Sequence, residues 1–144
     1  MAEKSPQNFA NHTRLDPLFH FFVLPVFLIT FIVTVVLLVQ HPGWLPAWRV
    51  VVALALLLAV LKMRMYALKV QDRVIRLEER LRLAGLMPSQ RAQIMLLSED
   101  QLIGLRFAAD EEVVALAGRA ATEKLGRKDI KKAVKNWRGD HWRV

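Results

Sequence analysis

Four histidines are the residues of this chain best suited to binding a metal ion or a haem. They are His12, His20, His41 and His141. His20 stands near the start of a long apolar segment, where a ring nitrogen is a possible axial ligand. A haem held between two helices needs a second histidine at a similar depth on the other helix, and the sequence offers none. We therefore interpret His20 as a histidine at the edge of the apolar segment and expect no cofactor and no metal.

Two pairs of adjacent carboxylates are the next candidates for chemistry. They are Glu78 with Glu79 and Glu111 with Glu112. A general acid needs a raised pKa, whereas three arginines between residues 76 and 82 favour ionised, ion-paired carboxylates in the first pair. The chain has no Cys, so thiol nucleophiles, thiolate metal sites and disulfides are excluded. Neither pair comes with a nucleophile and base. The sequence predicts a non-enzymatic protein with no catalytic residue.

A stripe of apolar residues with alternating steps of four and three gives the strongest pattern for binding another helix. Its members are Met63, Ala67, Val70, Val74, Leu77, Leu81 and Ala84. These are the d and a positions of a coiled coil, and we call the seven residues the heptad seam. The seam predicts pairing with a second copy of the chain, or with a partner subunit, the homodimer being favoured. The alternatives are packing on the chain's own tail or on the bilayer surface.

A basic segment near the end of the chain is the second candidate contact surface. We predict a helix from Lys128 to Trp137 with an apolar side and a lysine side. The residues expected to contact anionic lipid or a partner are Lys128, Lys131, Lys132, Lys135 and Trp137. The helix either lies on anionic lipid or packs its apolar side within a small tail domain, and both remain open. It has no aromatic stacking ladder and no groove-reading motif, so nucleic acid is the less favoured partner.

The elements that position these residues begin with two apolar segments. Asp16-Pro17 is a typical helix start, because Asp caps free N–H groups and Pro needs no donor in the first turn. The uncharged segment from Phe19 to Val39 would span about 32 Å as a helix, enough to cross a bilayer. Pro25 predicts a bend near its start. The segment from Phe19 to Val39 is longer than the apolar region of a signal peptide, and no cleavage motif follows it, so a transmembrane helix is favoured over a signal peptide.

The second apolar segment runs from about Trp48 to Tyr66, after a turn containing Pro42, Gly43 and Pro46. A short turn between two spans predicts an antiparallel hairpin. Residues with long or amphipathic side chains mark its ends and are predicted to anchor it at the membrane interface. These anchors are Trp44, Trp48, Arg49, Lys62, Arg64 and Tyr66.

The charge distribution predicts the orientation of the hairpin. The net charge is +8, and residues 62–144 carry 18 Lys and Arg against 11 Asp and Glu, or +7. Basic residues collect on the cytoplasmic side of membrane proteins. Both termini are therefore predicted to be cytoplasmic, in the inner membrane of a bacterium, with the turn on the other side.

Beyond Gly85 the sequence predicts short helices. The first runs from a cap at Ser89 to Leu97, and a capping box at Ser98 and Gln101 opens the second, to about Ala108. Asp110 is expected to cap a third helix, over residues 111–125, before Gly126 ends it.

Several stretches of this sequence resemble a bacterial family of small two-span membrane proteins of unknown function. They are Asn11-His12-Thr13-Arg14 with Pro17 and His20 to Phe22, Tyr66 to Arg73 running into Leu77 to Arg82, Gln101 to Ala108 followed by Asp110-Glu111-Glu112, and Ile130 to Ala133 with Trp137, Arg138 and Arg143-Val144. The resemblance covers nearly the whole chain. It implies the two-span plan with a helical cytoplasmic tail, and no activity.

The expected protein is thus an all-α membrane protein. Residues 1–16 form an N-terminal cytoplasmic arm, and 17–66 form a transmembrane hairpin with spans at about 19–39 and 48–66. Residues 67–86 continue the second helix as a cytoplasmic coiled-coil-like helix, and 87–144 form a basic helical tail. We expect an inner-membrane scaffold or assembly protein. The alternatives are an accessory subunit of a larger energy-converting or transport complex and a membrane-tethered nucleic-acid-binding protein.

Overall fold

The computed structural model describes residues 7–11 and 15–140 of the chain. Within these ranges every regular element is helical, and one isolated antiparallel bridge joins Ala108 to Trp137. The described residues form two compact units, one of residues 15–69 and one of residues 7–11 and 70–140. The predicted all-α fold, with a long second helix and a helical tail, is confirmed. His12 and His141 lie outside the described residues, as do parts of the N-terminal arm and of the matching stretches at both ends.

The unit of residues 15–69 opens with a capped helix start. The Asp16 side chain accepts a hydrogen bond from the backbone N–H of Phe19 at 3.2 Å, so the predicted cap is confirmed. A π-helical turn then runs over Phe19–Val23, where the N–H of Leu24 donates to the carbonyl of Phe19. A π turn inserts one extra residue into the helical repeat. It ends two residues before Pro25, whose missing N–H already interrupts the α pattern.

Two long helices follow the π turn. Helix α1 covers Leu24–Gln40 and α2 covers Trp44–Leu86, so that only residues 41–43 connect them. Helix α2 begins earlier than the predicted span because Pro46 falls in its first turn, where Pro costs no hydrogen bond. The helical stretches Phe19–Gln40 and Trp44–Leu86 are long and apolar enough to cross a membrane.

The apolar side chains of this unit mostly face outward. Ile29 on α1 and Leu58 on α2 are exposed, whereas Ala53 is buried. The two threonines of α1 satisfy their hydroxyl groups within the helix, since Thr30 donates to the carbonyl of Val26 at 2.7 Å and Thr34 donates to the carbonyl of Phe31 at 2.8 Å. Local satisfaction of polar groups is what a helix surrounded by hydrocarbon requires.

In the other unit, residues 70–86 of α2 are followed by a series of short helices. A 3₁₀ turn at Pro88–Gln90 leads into α3 (Arg91–Leu96), and then come α4 (Glu99–Leu105), α5 (Asp110–Thr122) and α6 (Arg127–Ala133). Their buried side chains form one core with Leu83 and Met87. The largest fully buried side chains are Phe107, Leu83, Leu102, Leu105, Ile130 and Val113.

Two of the three predicted helix caps in this unit are wrong. The Ser98 side chain accepts from the N–H of Gln101 and the Gln101 side chain accepts from the N–H of Ser98, so the capping box is confirmed. Ser89 lies inside the 3₁₀ turn instead of capping α3. The cap position of α5 is Ala109, and Asp110 is the first helical residue. The Asp110 carboxylate instead accepts a hydrogen bond from Arg82 of α2.

The predicted helix over residues 128–137 is also too long. Helix α6 ends at Ala133, and Val134 is already extended. The Glu112 carboxylate accepts hydrogen bonds from the backbone N–H groups of Lys135, at 3.2 Å, and of Asn136, at 2.9 Å. Backbone donors held by a side chain from α5 cannot continue the helical ladder. Lys135 and Trp137 therefore lie beyond the helix.

Candidate functional site

His20 makes a local contact instead of facing a partner ligand. Its Nδ1 lies 2.8 Å from the backbone carbonyl of Asp16, one helical turn earlier. Its ring meets that of Phe19 edge to face, with centroids 5.1 Å apart. Among residues 7–11 and 15–140 there is no cluster of His, Asp and Glu with the geometry of a metal site. This placement suits the interpretation of His20 as a histidine at the start of the apolar helix.

The arginines and carboxylates around Glu79 form a network of ion pairs. Arg82 is its centre: Nε donates to Asp110 Oδ1 at 2.7 Å, Nη1 to Glu79 Oε2 at 3.1 Å and Nη2 to the carbonyl of Ala108 at 2.7 Å. Arg138 Nη1 donates to the second oxygen of Glu79 at 3.4 Å. The network therefore joins α2 to the start of α5 and to the segment after α6.

A cavity of about 440 Å³ lies beside this network. Its lining includes Arg106, whose Nε is 2.9 Å from Asp140 Oδ2. The three arginines and three carboxylates that line it balance in charge, and most of them already pair with one another. Among residues 7–11 and 15–140, its lining includes no histidine and no hydroxyl nucleophile. These ion pairs hold α2, the start of α5 and the segment after α6 together.

Burial gives Glu79 unusual electrostatics. Its side chain is almost fully enclosed, and burial raises the pKa of the Glu79 carboxyl above its ordinary value. The guanidinium groups of Arg82 and Arg138 oppose that rise. A carboxylate taken from water loses more solvation than these pairs return. The sequence pattern of arginines predicted an ion-paired glutamate, and the pairing is present although the net shift has the opposite sign.

Most members of the heptad seam on α2 are exposed. In the unit of residues 70–140 its members Val70, Val74, Leu77 and Leu81 are 61%, 48%, 60% and 66% exposed. We call these four residues the exposed stripe. Ala84 departs from the pattern and packs against the core. Of the two members in the unit of residues 15–69, Met63 is exposed and Ala67 is half-buried.

The opposite side of the same helix carries the contacts with the tail. Ile75, Glu79 and Leu83 follow one another at four-residue steps and are all buried. At 100° per residue this row lies on the far side of α2 from the exposed stripe. We call it the tail-facing row. The alternative in which the heptad seam packs on the chain's own tail is therefore not what the structure shows for residues 70–81, because another row occupies the tail.

Ion pairs reinforce the tail-facing side of α2. Arg76 pairs with Glu99 at the start of α4, and Arg127 at the start of α6 lies 2.7 Å from Asp100 and 3.8 Å from Asp72. These contacts, with the Arg82 network, fix which side of α2 faces the tail. The row is not evident as an apolar stripe in the sequence, because Glu79 interrupts its apolar character. The step-of-four recurrence of Ile75, Leu83 and Met87 was the available signal.

The predicted lipid-contact residues divide into two groups. Ile130 and Val134 are buried, so the apolar side of α6 faces the core. Trp137 stacks near Phe107 with ring centroids 5.0 Å apart, and Lys131 Nζ lies 5.2 Å from the same ring. Lys128, Lys132 and Lys135 are exposed. The structure therefore favours packing within the tail over insertion of the apolar side into lipid.

The predicted interface anchors lie at the two ends of the hairpin. Trp44 and Trp48 stack on each other, with centroids 6.4 Å apart, beside the turn. At the other end Arg64 Nη1 lies 4.0 Å from Asp16 Oδ2, and its guanidinium is 5.4 Å from the centre of the Phe19 ring. The start of the first helix and residue 64 of α2 are thus brought together. The remaining anchors, Arg49, Lys62 and Tyr66, are exposed.

These features define a class of protein: an all-α chain with two helices long and apolar enough to cross a membrane, followed by a small helical tail. Within this class, the chain belongs to the family of unknown function designated DUF6526, whose model matches residues 1–144. The resemblance to a family without an assigned function is thereby confirmed. No curated protein and no solved structure matches the chain.

Proposed function

We propose that the protein is a non-enzymatic scaffold or assembly factor of the bacterial cytoplasmic membrane. The helix hairpin anchors it, both termini lie in the cytoplasm, and the exposed stripe on α2 binds another helix. This role needs no reacting group. It needs an exposed binding surface on a chain that is anchored in the membrane.

The exposed stripe is the observation that carries this proposal. Val70, Leu77 and Leu81 are each at least 60% exposed, on a helix whose other side is already packed. A row of large apolar side chains on the surface of a small domain marks an interaction site. The helical period of the row makes another helix the best-fitting partner.

Two observations support the membrane anchor. The helices Phe19–Gln40 and Trp44–Leu86 expose most of their apolar side chains, an arrangement that hydrocarbon stabilises and water does not. The basic residues follow the second apolar segment, and by the positive-inside rule this charge distribution supports a cytoplasmic tail. Arg64 and Asp16, paired at the open end of the hairpin, would then lie at the cytoplasmic interface.

A second candidate is an accessory subunit of a larger membrane complex. The π-helical turn at Phe19–Val23 favours it, because π turns recur at functional positions in helices. Phe21 and Phe22 in this turn are 71% and 62% exposed and would suit a groove on a larger membrane protein. Copurification at a fixed stoichiometry after mild extraction would support this candidate. Isolation of the chain alone under the same conditions would contradict it.

Two matched double variants test the proposed pairing. Val74→Asp with Leu77→Asp places two charges in the exposed stripe, and should convert a specific oligomer, kept at a low detergent-to-protein ratio, into a smaller species. Met95→Asp with Leu96→Asp makes the same change at exposed apolar residues of α3 and should leave the size unchanged. Native mass measurement of the full chain reads out both. A chain whose native mass is the same with and without the stripe charges would contradict the proposal.

A further inference from the structure

The positions that flank the exposed stripe carry charges of opposite sign. With Val74 and Leu81 at a and Val70 and Leu77 at d, Arg73 occupies a g position and Glu78 an e position. Both side chains are exposed, and within the described part of the chain neither forms an ion pair. Charged e and g residues in a coiled coil decide which helix pairs with it and in which direction.

These charges distinguish the two possible directions of a self-pair. In a parallel pair in register, the g residue of one helix meets the e residue of the next heptad on the other helix. Arg73 then faces Glu78 of the second copy, and the reverse contact forms by symmetry. Arg80 faces Gly85, so no like charges meet. In an antiparallel pair the g positions face each other, which sets Arg73 and Arg80 against arginines.

We propose that the exposed stripe docks on a second copy of this chain as a parallel, in-register two-helix pair, with Arg73 of each copy against Glu78 of the other. This inference rests on the proposed function and names its partner. Two copies anchored in one membrane with the same orientation have their α2 helices pointing the same way, so anchoring and charge favour the same direction. The tail stays on the outer side of the pair, because the tail-facing row occupies other heptad positions.

Anchoring also compensates for the shortness of the seam. The exposed stripe spans less than two heptads, whereas three or four give a secure coiled coil in solution. Holding both helices in the same bilayer turns their association into a nearly intramolecular event with a high effective concentration. The pair is therefore expected in membranes and at low detergent-to-protein ratio, and to dissociate when detergent dilutes the chain.

Cysteine crosslinking tests direction and register directly, because the natural chain has no Cys. Single variants Val70→Cys, Val74→Cys, Leu77→Cys and Leu81→Cys are made in the full chain and oxidised in native membranes. A parallel in-register pair brings each residue next to its own copy, so all four should form dimers. Met95→Cys, exposed on α3, is the control and should not. Crosslinking at one position at most would indicate an antiparallel or shifted pair and overturn the proposal.

A charge exchange tests the flanking contact. In the Val74→Cys background, Arg73→Glu and Glu78→Arg should each slow crosslinking by on the order of threefold to tenfold, because two symmetric attractions become repulsions. The combined variant recreates both pairs with exchanged signs and should restore the original rate. Failure of the combination to recover would overturn the proposed register.

The two proposals can fail separately. If no stripe cysteine crosslinks but Val74→Asp with Leu77→Asp still changes the native mass, the stripe carries an association of another geometry. The pairing role would then stand and the parallel, in-register pair would be overturned. If the aspartates also change nothing, both proposals fall.

Discussion

Arg82 of α2 and Asp110 of α5 lie 28 residues apart in the chain, yet the arginine Nε donates to the carboxylate at 2.7 Å. The same guanidinium also holds the buried carboxylate of Glu79 and the carbonyl of Ala108. The Arg82 side chain thus holds the start of α5 against α2. Because the tail is held to this side of α2, the exposed stripe is left uncovered.

Removal of Arg82 should loosen the tail. We expect Arg82→Ala to lower the free energy of unfolding by about 3 kcal/mol, because a buried carboxylate loses a charged donor. Hydrogen exchange of α5 in the full chain, measured by mass spectrometry in mild detergent, reports the change. Arg80→Ala removes an exposed arginine from the same helix and should change stability by no more than about 0.5 kcal/mol. Equal exchange in both variants would contradict the central place of Arg82.

The periodic parts of this fold were predictable from the sequence. The apolar segments are continuous runs, the heptad seam repeats at fixed intervals, and the capping box at Ser98 is a local pattern. Each of these features can be recognised from residues close together in the sequence. The Arg82–Asp110 pair depends on residues distant in sequence, and no local pattern encodes it. Asp110 was interpreted as a helix cap because a capping residue and an ion-pairing residue look alike before the partner is known.

The end of α6 at Ala133 could not be predicted from the sequence either, because it also depends on a residue distant in the chain. The lysines, Ile130 and Trp137 keep a helical spacing through residue 137, so the pattern predicted a longer helix. Glu112, from another helix, captures the backbone N–H groups of Lys135 and Asn136 and ends the ladder early. The heptad seam can be recognised as apolar from the sequence. Its exposure cannot, because that depends on the tail packing against the tail-facing row instead of against the seam.

The buried carboxyl of Glu79 predicts a pH dependence with a definite sign. Its folded pKa is raised above the ordinary 4.5, so between these values the folded state binds more protons than the unfolded chain. Stability from this group is present at low pH and is lost as pH rises through the raised pKa. Glu79→Gln should remove that loss. The variant should therefore gain stability relative to the natural chain as pH rises from below 4.5 through the raised pKa.

Urea unfolding of both proteins at several pH values in this interval measures the difference. Glu111→Gln removes an exposed carboxyl near the same domain surface and controls for the change in net charge. A difference between Glu79→Gln and the natural chain that shrinks with rising pH would show that the arginine pairs outweigh burial.

Two glycines in the tail should respond oppositely to the same substitution. A Cβ on Gly104 of α4 would lie 3.1 Å from two side-chain atoms of Ile130 on α6, whereas a Cβ on Gly118 of α5 meets nothing within 4 Å. Ile130 is fully buried and has little room to move. Gly118→Ala should add about 1 kcal/mol through helix propensity. Gly104→Ala should lose stability as α4 and α6 are forced apart.

Thermal or urea unfolding of the two alanine variants in the full chain gives the comparison. We expect opposite signs relative to the natural protein. If Gly104→Ala is as stable as Gly118→Ala, the close approach of α4 and α6 is not a constraint on packing, and the tail can adjust without cost.

The proposed orientation of the hairpin gives the last prediction. His41→Cys places a thiol in the connection between α1 and α2, and Lys132→Cys places one on an exposed position of α6. Because the natural chain has no Cys, a membrane-impermeant maleimide reports each position without background. In spheroplasts with an intact membrane, His41→Cys should react at once and Lys132→Cys only after permeabilisation.

The basic residues after the second span set this expectation, since moving them across the membrane is strongly disfavoured. Labelling of Lys132→Cys from outside would place the tail and the exposed stripe on the wrong side for a cytoplasmic partner. The parallel pairing of α2 would survive such a result, because both copies would still share one orientation, so the experiment separates the location of the scaffold from the way it assembles.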